Sequence, residues 1–212
     1  MIDFVLHFDK HLLDFIAAYG AWVYGLLFAI VFAETGFVVT PFLPGDSLLF
    51  AAGAVAAAGG GLNGWILFVL LAFAAFAGNA VNYAVGRAIG PRVFVATDTS
   101  SLLGRLMNRQ YLERAHAFFE QYGGKAVILG RFVPIVRTFV PFVAGAAQMT
   151  TAAFVLYNAV GAAAWVSLCL GAGWFFGNIP VIKNNFSLVT IGIVFVSVLP
   201  MVFELIAHRR RR

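Results

Sequence analysis

The chain has 212 residues, of which 62% are hydrophobic and 11% charged, and its mean hydropathy is +0.92. A soluble domain carries about 25% charged and 45–50% apolar residues, so a soluble globular enzyme is excluded and an integral membrane protein is indicated. The net charge of +5 comes largely from Arg209, Arg210, Arg211 and Arg212, a tail that argues for membrane orientation rather than for nucleic acid.

At about 20 residues per span, six or seven spans are the ceiling, and polar segments lower it. One compact membrane domain over 19–208 is expected. Cys169 is the only cysteine, so an intramolecular disulfide and a thiolate cluster for zinc are both out of reach. The N-terminus lacks a basic stretch and is interrupted by Asp3 and Asp9, which argues against a cleavable signal peptide.

In residues 1–18, Asp3, His7, Lys10 and Asp14 share one helical face with His11, and Ile2, Leu6, Leu13 and Ile16 fill much of the rest. An amphipathic helix lying along the membrane is expected. Residues 20–58 are apolar at both ends and broken by Glu34, Thr35, Gly36, Pro41, Pro44, Gly45 and Asp46. The arms, 20–33 and 47–58, hold 14 and 12 residues. At about 1.5 Å per residue they reach roughly 20 Å, short of the roughly 30 Å hydrocarbon core. The expectation is a re-entrant hairpin, because such broken backbone survives at depth only inside protein or beside a wet cavity. Residues 64–86 are long enough to span, with Asn79, Asn82 and Tyr83 near the far end and Arg87 closing it.

Residues 91–125 carry Arg92, Arg105, Arg109, Arg114 and Lys125, a basic loop that belongs on the cytoplasmic side. Within it, 101–122 repeats Leu102, Leu106, Leu112, Ala115, Phe118, Phe119 and Tyr122 at helical spacing. Ser100 or Ser101 can cap this surface helix, and Gly123-Gly124 ends it. Residues 126–149 are apolar but hold Arg131, Pro134, Arg137 and Pro141. As a second re-entrant hairpin they return to the side they left. Then 152–176 spans outward, 177–186 is an outer loop, 187–207 spans back, and the basic tail 209–212 lands in the cytoplasm. A full span at 126–149 would put that tail outside. The fold class is therefore an all-α integral membrane protein, with two inverted re-entrant hairpins packed with full transmembrane helices. In such inverted repeats the binding site lies near the midplane, between the broken elements.

Four ionisable residues fall inside apolar segments: Glu34 and Asp46 on the first hairpin, Arg131 and Arg137 on the second. Each costs roughly 2.5–3.5 kcal/mol on insertion scales. One reading is a pair of structural salt bridges pinning the hairpins together. The reading favoured here is a substrate and ion site, since intramembrane charge points to function. Arginine stays charged, and its planar fork matches a phosphate or carboxylate, so Arg131 and Arg137 are the anion-binding candidates. Carboxylates in a low-dielectric cavity exchange protons more readily near neutral pH, so Glu34 and Asp46 are the proton-coupling candidates.

Weaker signals come next. Asn79, Asn82 and Asn158 are polar within spans; helix-to-helix hydrogen bonds are the favoured role, substrate contact the other. Tyr83 suits an interfacial aromatic belt, and Arg87 a topology anchor at a helix end. Asn79, Tyr83, Arg87 and Asn158 are the secondary site candidates. Gly86-Gly90 and Gly173-Gly177 are GxxxG pairs, which close helix packing explains. His7, His11, His116 and His208 are scattered, and no metal site is expected. Neither hairpin holds a histidine to serve a phosphatase, and no catalytic constellation or cofactor motif is visible.

These motifs resemble a known family. FAETGFVVTPFLPGDSLLFAAGA (32–54), GNAVNYAVGRAIG (78–90), GGKAVILGRFVPIVRTFVPFVAG (123–145) and YNAVGAAAW (157–165) are similar to the ordered motifs of the bacterial DedA family, which carries the VTT domain. The similarity runs from residue 2 to residue 208. Asn79 is a departure, since family members often carry an acid there. The resemblance implies a multi-pass protein of the bacterial inner membrane that takes part in recycling undecaprenyl phosphate and depends on the proton motive force. It implies functional roles for the glutamate of ETG, the aspartate of PGD and the two arginines of RFxPxxR, which here are Glu34, Asp46, Arg131 and Arg137.

The expected function is that of a non-enzymatic flippase for an anionic lipid phosphate, with undecaprenyl phosphate as substrate and protons as coupling ions. The alternatives are a non-selective phospholipid scramblase or a proton-coupled small-ion transporter. Small-residue surfaces permit a homodimer.

Overall fold

The computed structural model describes residues 20–36, 45–59, 61–95, 109–133, 136–177 and 179. The interfacial helix expected at 1–18, the hairpin bend with Pro41 and Pro44, Pro134, the span at 187–207 and the tail at 209–212 lie outside the described residues. Among the described residues all regular structure is helical. The α-helices are α1 (Ala21–Gly36), α2 (Gly45–Ala57), α3 (Gly64–Val95), α4 (Arg109–Tyr122), α5 (Ala126–Leu129), α6 (Val136–Ala146) and α7 (Thr151–Gly177). Short 3-10 turns at Gly123–Lys125 and Gly130–Phe132 flank α5.

The two arms expected around the first break are helices of 16 and 13 residues, α1 and α2. Both are too short to cross a hydrocarbon core of about 30 Å. Two helices, among the described residues, are long and apolar enough to cross: Gly64–Ile89 of α3 and all of α7. Only 33% and 39% of their most apolar stretches is buried. Trp65, Val69 and Phe73 of α3 and Leu156, Leu168 and Phe175 of α7 point outward. A core helix of a soluble protein would hide these side chains. Their exposure suits a lipid surround, and the chain is a membrane protein.

One sequence expectation is corrected here. Arg87 does not close the helix that begins at Gly64, which runs on to Val95, through Gly90 and Pro91. The apolar run ends near Ile89, but backbone hydrogen bonding continues beyond it. Hydropathy marks where a lipid environment ends, not where a helix does.

The described chain forms two compact units. The first holds residues 20–27, 45–59, 61–70 and 166–177. In it α2 lies on the end of α7 with backbones touching. A Cβ on Gly53 would stand 2.2 Å from the Leu170 carbonyl oxygen, and one on Gly173 would stand 2.0 Å from that of Phe50. The GxxxG pair Gly173-Gly177 is thus a packing device. Asn63 caps α3, its Oδ1 accepting from the N–H groups of Trp65 at 2.9 Å and Ile66 at 3.2 Å. The Trp174 ring covers Gly64. An open groove of about 680 Å³ beside them has no ionisable side chain in its lining.

The second unit holds residues 28–36, 71–95, 109–133 and 136–165. Its core contains Val127, Phe139, Val140, Phe142, Val143 and Phe154. The surface helix expected from periodicity is α4, described from Arg109 onward. Ala115 is buried, Phe118 and Phe119 pack on the core, and Arg114, His116 and Glu120 are exposed. Gly123, at φ 55°, ends it, as a C-terminal glycine should. In this unit α3 and α7 run antiparallel, pairing Arg87 with Thr151, Tyr83 with Phe154 and Asn79 with Asn158. The α3–α6 crossing is tight: Gly86 meets the Phe142 carbonyl and Gly145 that of Tyr83, each leaving only 2.1 Å for a Cβ.

Candidate functional site

Three of the four ionisable residues singled out in the sequence converge in the second unit. Glu34 lies in the last turn of α1, against α3. Gly78 makes that approach possible, since a Cβ there would stand 2.0 Å from Thr35 Oγ1. Arg137 lies in the first turn of α6 and donates from Nη2 to Glu34 Oε1. The Glu34 side chain is 2% exposed and that of Arg137 17%. On its other side the Arg137 guanidinium lies 5.7 Å from the Trp165 ring centroid, within reach of a cation–π contact.

Arg131 sits in the 3-10 turn after α5 and is 5% exposed. Its Nη2 donates to the Ala75 carbonyl at 3.2 Å and to Asn158 Oδ1 at 2.7 Å. Both acceptors are neutral. Among the described residues no carboxylate pairs with Arg131, and its Nε has no hydrogen-bond partner. Gly161 makes room for the side chain: a Cβ there would stand 3.2 Å from both Cδ and Nε of Arg131. Asn158 is fully committed. Its Oδ1 also accepts from Asn79 Nδ2 at 3.2 Å, and its own amide donates to the Phe76 carbonyl at 2.9 Å. The asparagines thus form the helix-to-helix bonds the sequence suggested, and they also hold Arg131.

Glu34, Thr35, Asn79, Arg131, Arg137, Thr138 and Trp165 surround a void of about 10 Å³, room for one water at most. Among the described residues the cluster holds one carboxylate and two guanidinium groups, one positive charge in excess. Burying a lone cation is expensive in a low-dielectric interior. An arriving anion would neutralise it and complete its hydrogen bonds. A phosphate oxygen is suited to both tasks.

Asp46 belongs to the first unit. It occupies the first turn of α2 with its side chain exposed, where a carboxylate complements the helix dipole. Tyr83 is not on an aromatic belt. It is 5% exposed, stacked on Phe154 with centroids 4.0 Å apart, and its hydroxyl donates to the Met149 carbonyl. An interior stack wins because the α6–α7 turn brings that carbonyl to the phenol. Arg87 is exposed, one turn further along α3.

Two residues lining the void, Thr138 and Trp165, were not singled out from sequence. Trp165 closes the 157–165 motif, and its only signal was being a tryptophan inside a span rather than at its end. Asn82, for which a helix-to-helix hydrogen bond was the favoured expectation, bonds across to α6. It donates to the Thr138 carbonyl at 2.7 Å and the Thr35 carbonyl at 3.5 Å. The Thr138 turn of α6 is the one disturbed by Pro141, which sits inside the helix. Proline offers no N–H to the carbonyl four residues back and its ring distorts the turn behind it. The carbonyl that loses its partner is that of Arg137; Asn82 bonds the adjacent Thr138 carbonyl and so ties α3 to the turn that the proline distorts.

The VTT domain model matches residues 43–175. The chain is 51% identical to the protein DedA of Escherichia coli K12, over 99% of its own length and 94% of that relative. It is 40% identical to an uncharacterized membrane protein of Mycobacterium tuberculosis, over 92% of this chain and 84% of the relative. It is 37% identical to the inner membrane protein YqjA of Escherichia coli K12, over 75% and 70% respectively. No solved structure matches. By family model and by identity over nearly its whole length, the chain belongs to the DedA family of VTT-domain membrane proteins.

Proposed function

We propose that the protein moves an anionic lipid phosphate, undecaprenyl phosphate, from the outer to the inner leaflet of the bacterial inner membrane, driven by protons. The observation that carries this reading is Arg131, a buried cation with neutral partners beside the Glu34–Arg137 pair. Arg131 and Arg137 bind the phosphate. Glu34 competes with it for Arg137, so a proton on Glu34 frees that guanidinium for substrate. Asp46 is the second proton-coupling carboxylate. Asn79 and Asn158 orient Arg131. The void is too small for a phosphate, so the described conformation is closed and substrate entry requires α1 or α6 to move.

The same reading makes both broken segments re-entrant hairpins within one domain over 19–208, with the C-terminus in the cytoplasm. The protein acts as a transporter, alone or as a homodimer, and not as an enzyme.

The test is lipid translocation in proteoliposomes. Labelled undecaprenyl phosphate and labelled phosphatidylethanolamine are followed between leaflets, with and without a pH gradient, for wild type and Arg137→Ala. Gradient-driven movement of the phosphate lipid alone, lost in the variant, is the expected result. Equal gradient-independent movement of both lipids would make the protein a scramblase and reduce Glu34 and Asp46 to structural roles.

A further inference from the structure

A second cationic site lies in the same unit, apart from the buried cluster. An open cleft of about 450 Å³ runs between α3 and α7, within the size range of ligand pockets. Its floor is apolar: Ala80, Ala84 and Ala88 on α3, Phe154 and Val155 on α7. Its one charged lining residue is Arg87. The guanidinium uses one terminal nitrogen, Nη1, for all its protein contacts, donating to the Tyr83 hydroxyl at 2.8 Å, Thr151 Oγ1 at 3.0 Å and the Met149 carbonyl at 3.4 Å. Those partners are neutral. Among the described residues no carboxylate pairs with Arg87, and Nη2 and Nε keep their donors for something else.

We propose that this cleft binds one anionic glycerophospholipid, its phosphate on Arg87 and Thr151 and an acyl chain along the alanine face of α3. Three observations select that occupant. The cation is exposed and lacks a counter-charge. It stands within two residues of the end of the apolar run Gly64–Ile89, where a span meets the headgroup layer. The cleft extends from it along the apolar part of the helix, over the eight residues back to Ala80, about 12 Å at helical rise. A phospholipid has this sequence of parts: a charged head, then hydrocarbon. Free phosphate would use the cation and leave the apolar floor bare. The Arg87 contacts to Met149 and Thr151 bridge α3 to the turn before α7, so a lipid seated there also clamps that turn.

The full chain purified in detergent is titrated with phosphatidylglycerol and, separately, phosphatidylcholine, with bound lipid counted by native mass spectrometry and stability followed by thermal unfolding. Wild type should prefer phosphatidylglycerol by about fivefold, the gain of one arginine at an anionic headgroup, and only that lipid should raise the melting temperature. Arg87→Gln should bind both lipids equally. Ala84→Phe, which fills the cleft and touches none of the Arg87 hydrogen bonds, should lose the preference too and remains decisive where Arg87→Gln fails to fold. Millimolar glycerol phosphate should not displace the lipid. The proposal is overturned by equal binding of both lipids to wild type, by a preference that survives Ala84→Phe, or by displacement with glycerol phosphate. Arg131→Gln should keep the preference, so this test stands whether or not Arg131 binds transported substrate.

Discussion

Arg131 and Arg137 stand close together, yet their surroundings set different costs for losing them. Arg137 is held by Glu34 and Trp165, so Arg137→Ala strips the pair and leaves a buried carboxylate. Breaking one side of a buried pair costs about 3–5 kcal/mol, which a large drop in melting temperature in detergent would register. Arg131 has only neutral partners, and its charge is itself an expense. Arg131→Gln should leave the melting temperature unchanged or raised, while translocation falls roughly tenfold or more, the scale of a lost hydrogen bond to a charged group. A purely structural Arg131 would lower both. Sequence composition revealed that these charges sit in apolar segments. It did not reveal which arginine takes the glutamate, because pairing depends on the angle at which α1 meets α6.

At the scale of elements, breaks and close approaches do most of the positioning. Pro141 weakens α6 at the turn that carries Arg137, and Asn82 ties the Thr138 carbonyl of that turn to α3. Asn82→Leu should therefore cost about 0.5–1.5 kcal/mol, the net worth of a buried hydrogen bond. In a Pro141→Ala background the helix regains the bond from residue 141 to the Arg137 carbonyl, which stiffens the same turn, so the cost should shrink; unfolding of the two single variants and the double variant measures that coupling. Gln148 carries another signal. The end of α6 is a Schellman motif: the Met149 N–H reaches the Ala144 carbonyl at 3.0 Å and the Gln148 N–H that of Gly145 at 2.9 Å, with Gln148 at φ 56°. A β-branched residue is strained there, so Gln148→Val should lower stability by about 1–3 kcal/mol in a thermal melt. The periodicity of α4 and the glycines after it were legible in the sequence. The left-handed Gln148 was not, because glutamine is not a turn residue by composition and only the bonds around it require that conformation.

For the whole molecule, lengths and apolar runs were legible early: the short arms, the span beginning near residue 64 and the span over 152–176 all have helical counterparts. The expected orientation puts the loop before α3 outside and the turn before α7 in the cytoplasm. Cys169 is the only thiol to remove, which makes the test direct. In a Cys169→Ser background, a membrane-impermeant thiol reagent added to intact cells should label a cysteine at Asn63. A cysteine at Gln148 should react only after the membrane is opened. Labelling of both from outside would overturn the re-entrant reading of 126–149, since a full span there would move the turn at 148 across the membrane.

The excess charge around the void also has a stoichiometric consequence. A cluster with one surplus positive charge is balanced by one negative charge, not two. A phosphate monoester loses its second proton near pH 6, so at neutral pH much of it carries close to two charges. To sit in balance it must bring a proton with it or leave one on Glu34. Either way, loading the site takes up one proton per lipid. Apparent affinity for a phosphate monoester should then strengthen as pH falls from 8 to 6, and a phosphodiester lipid, with one charge throughout that range, should show only the part of that slope that a proton on Glu34 contributes.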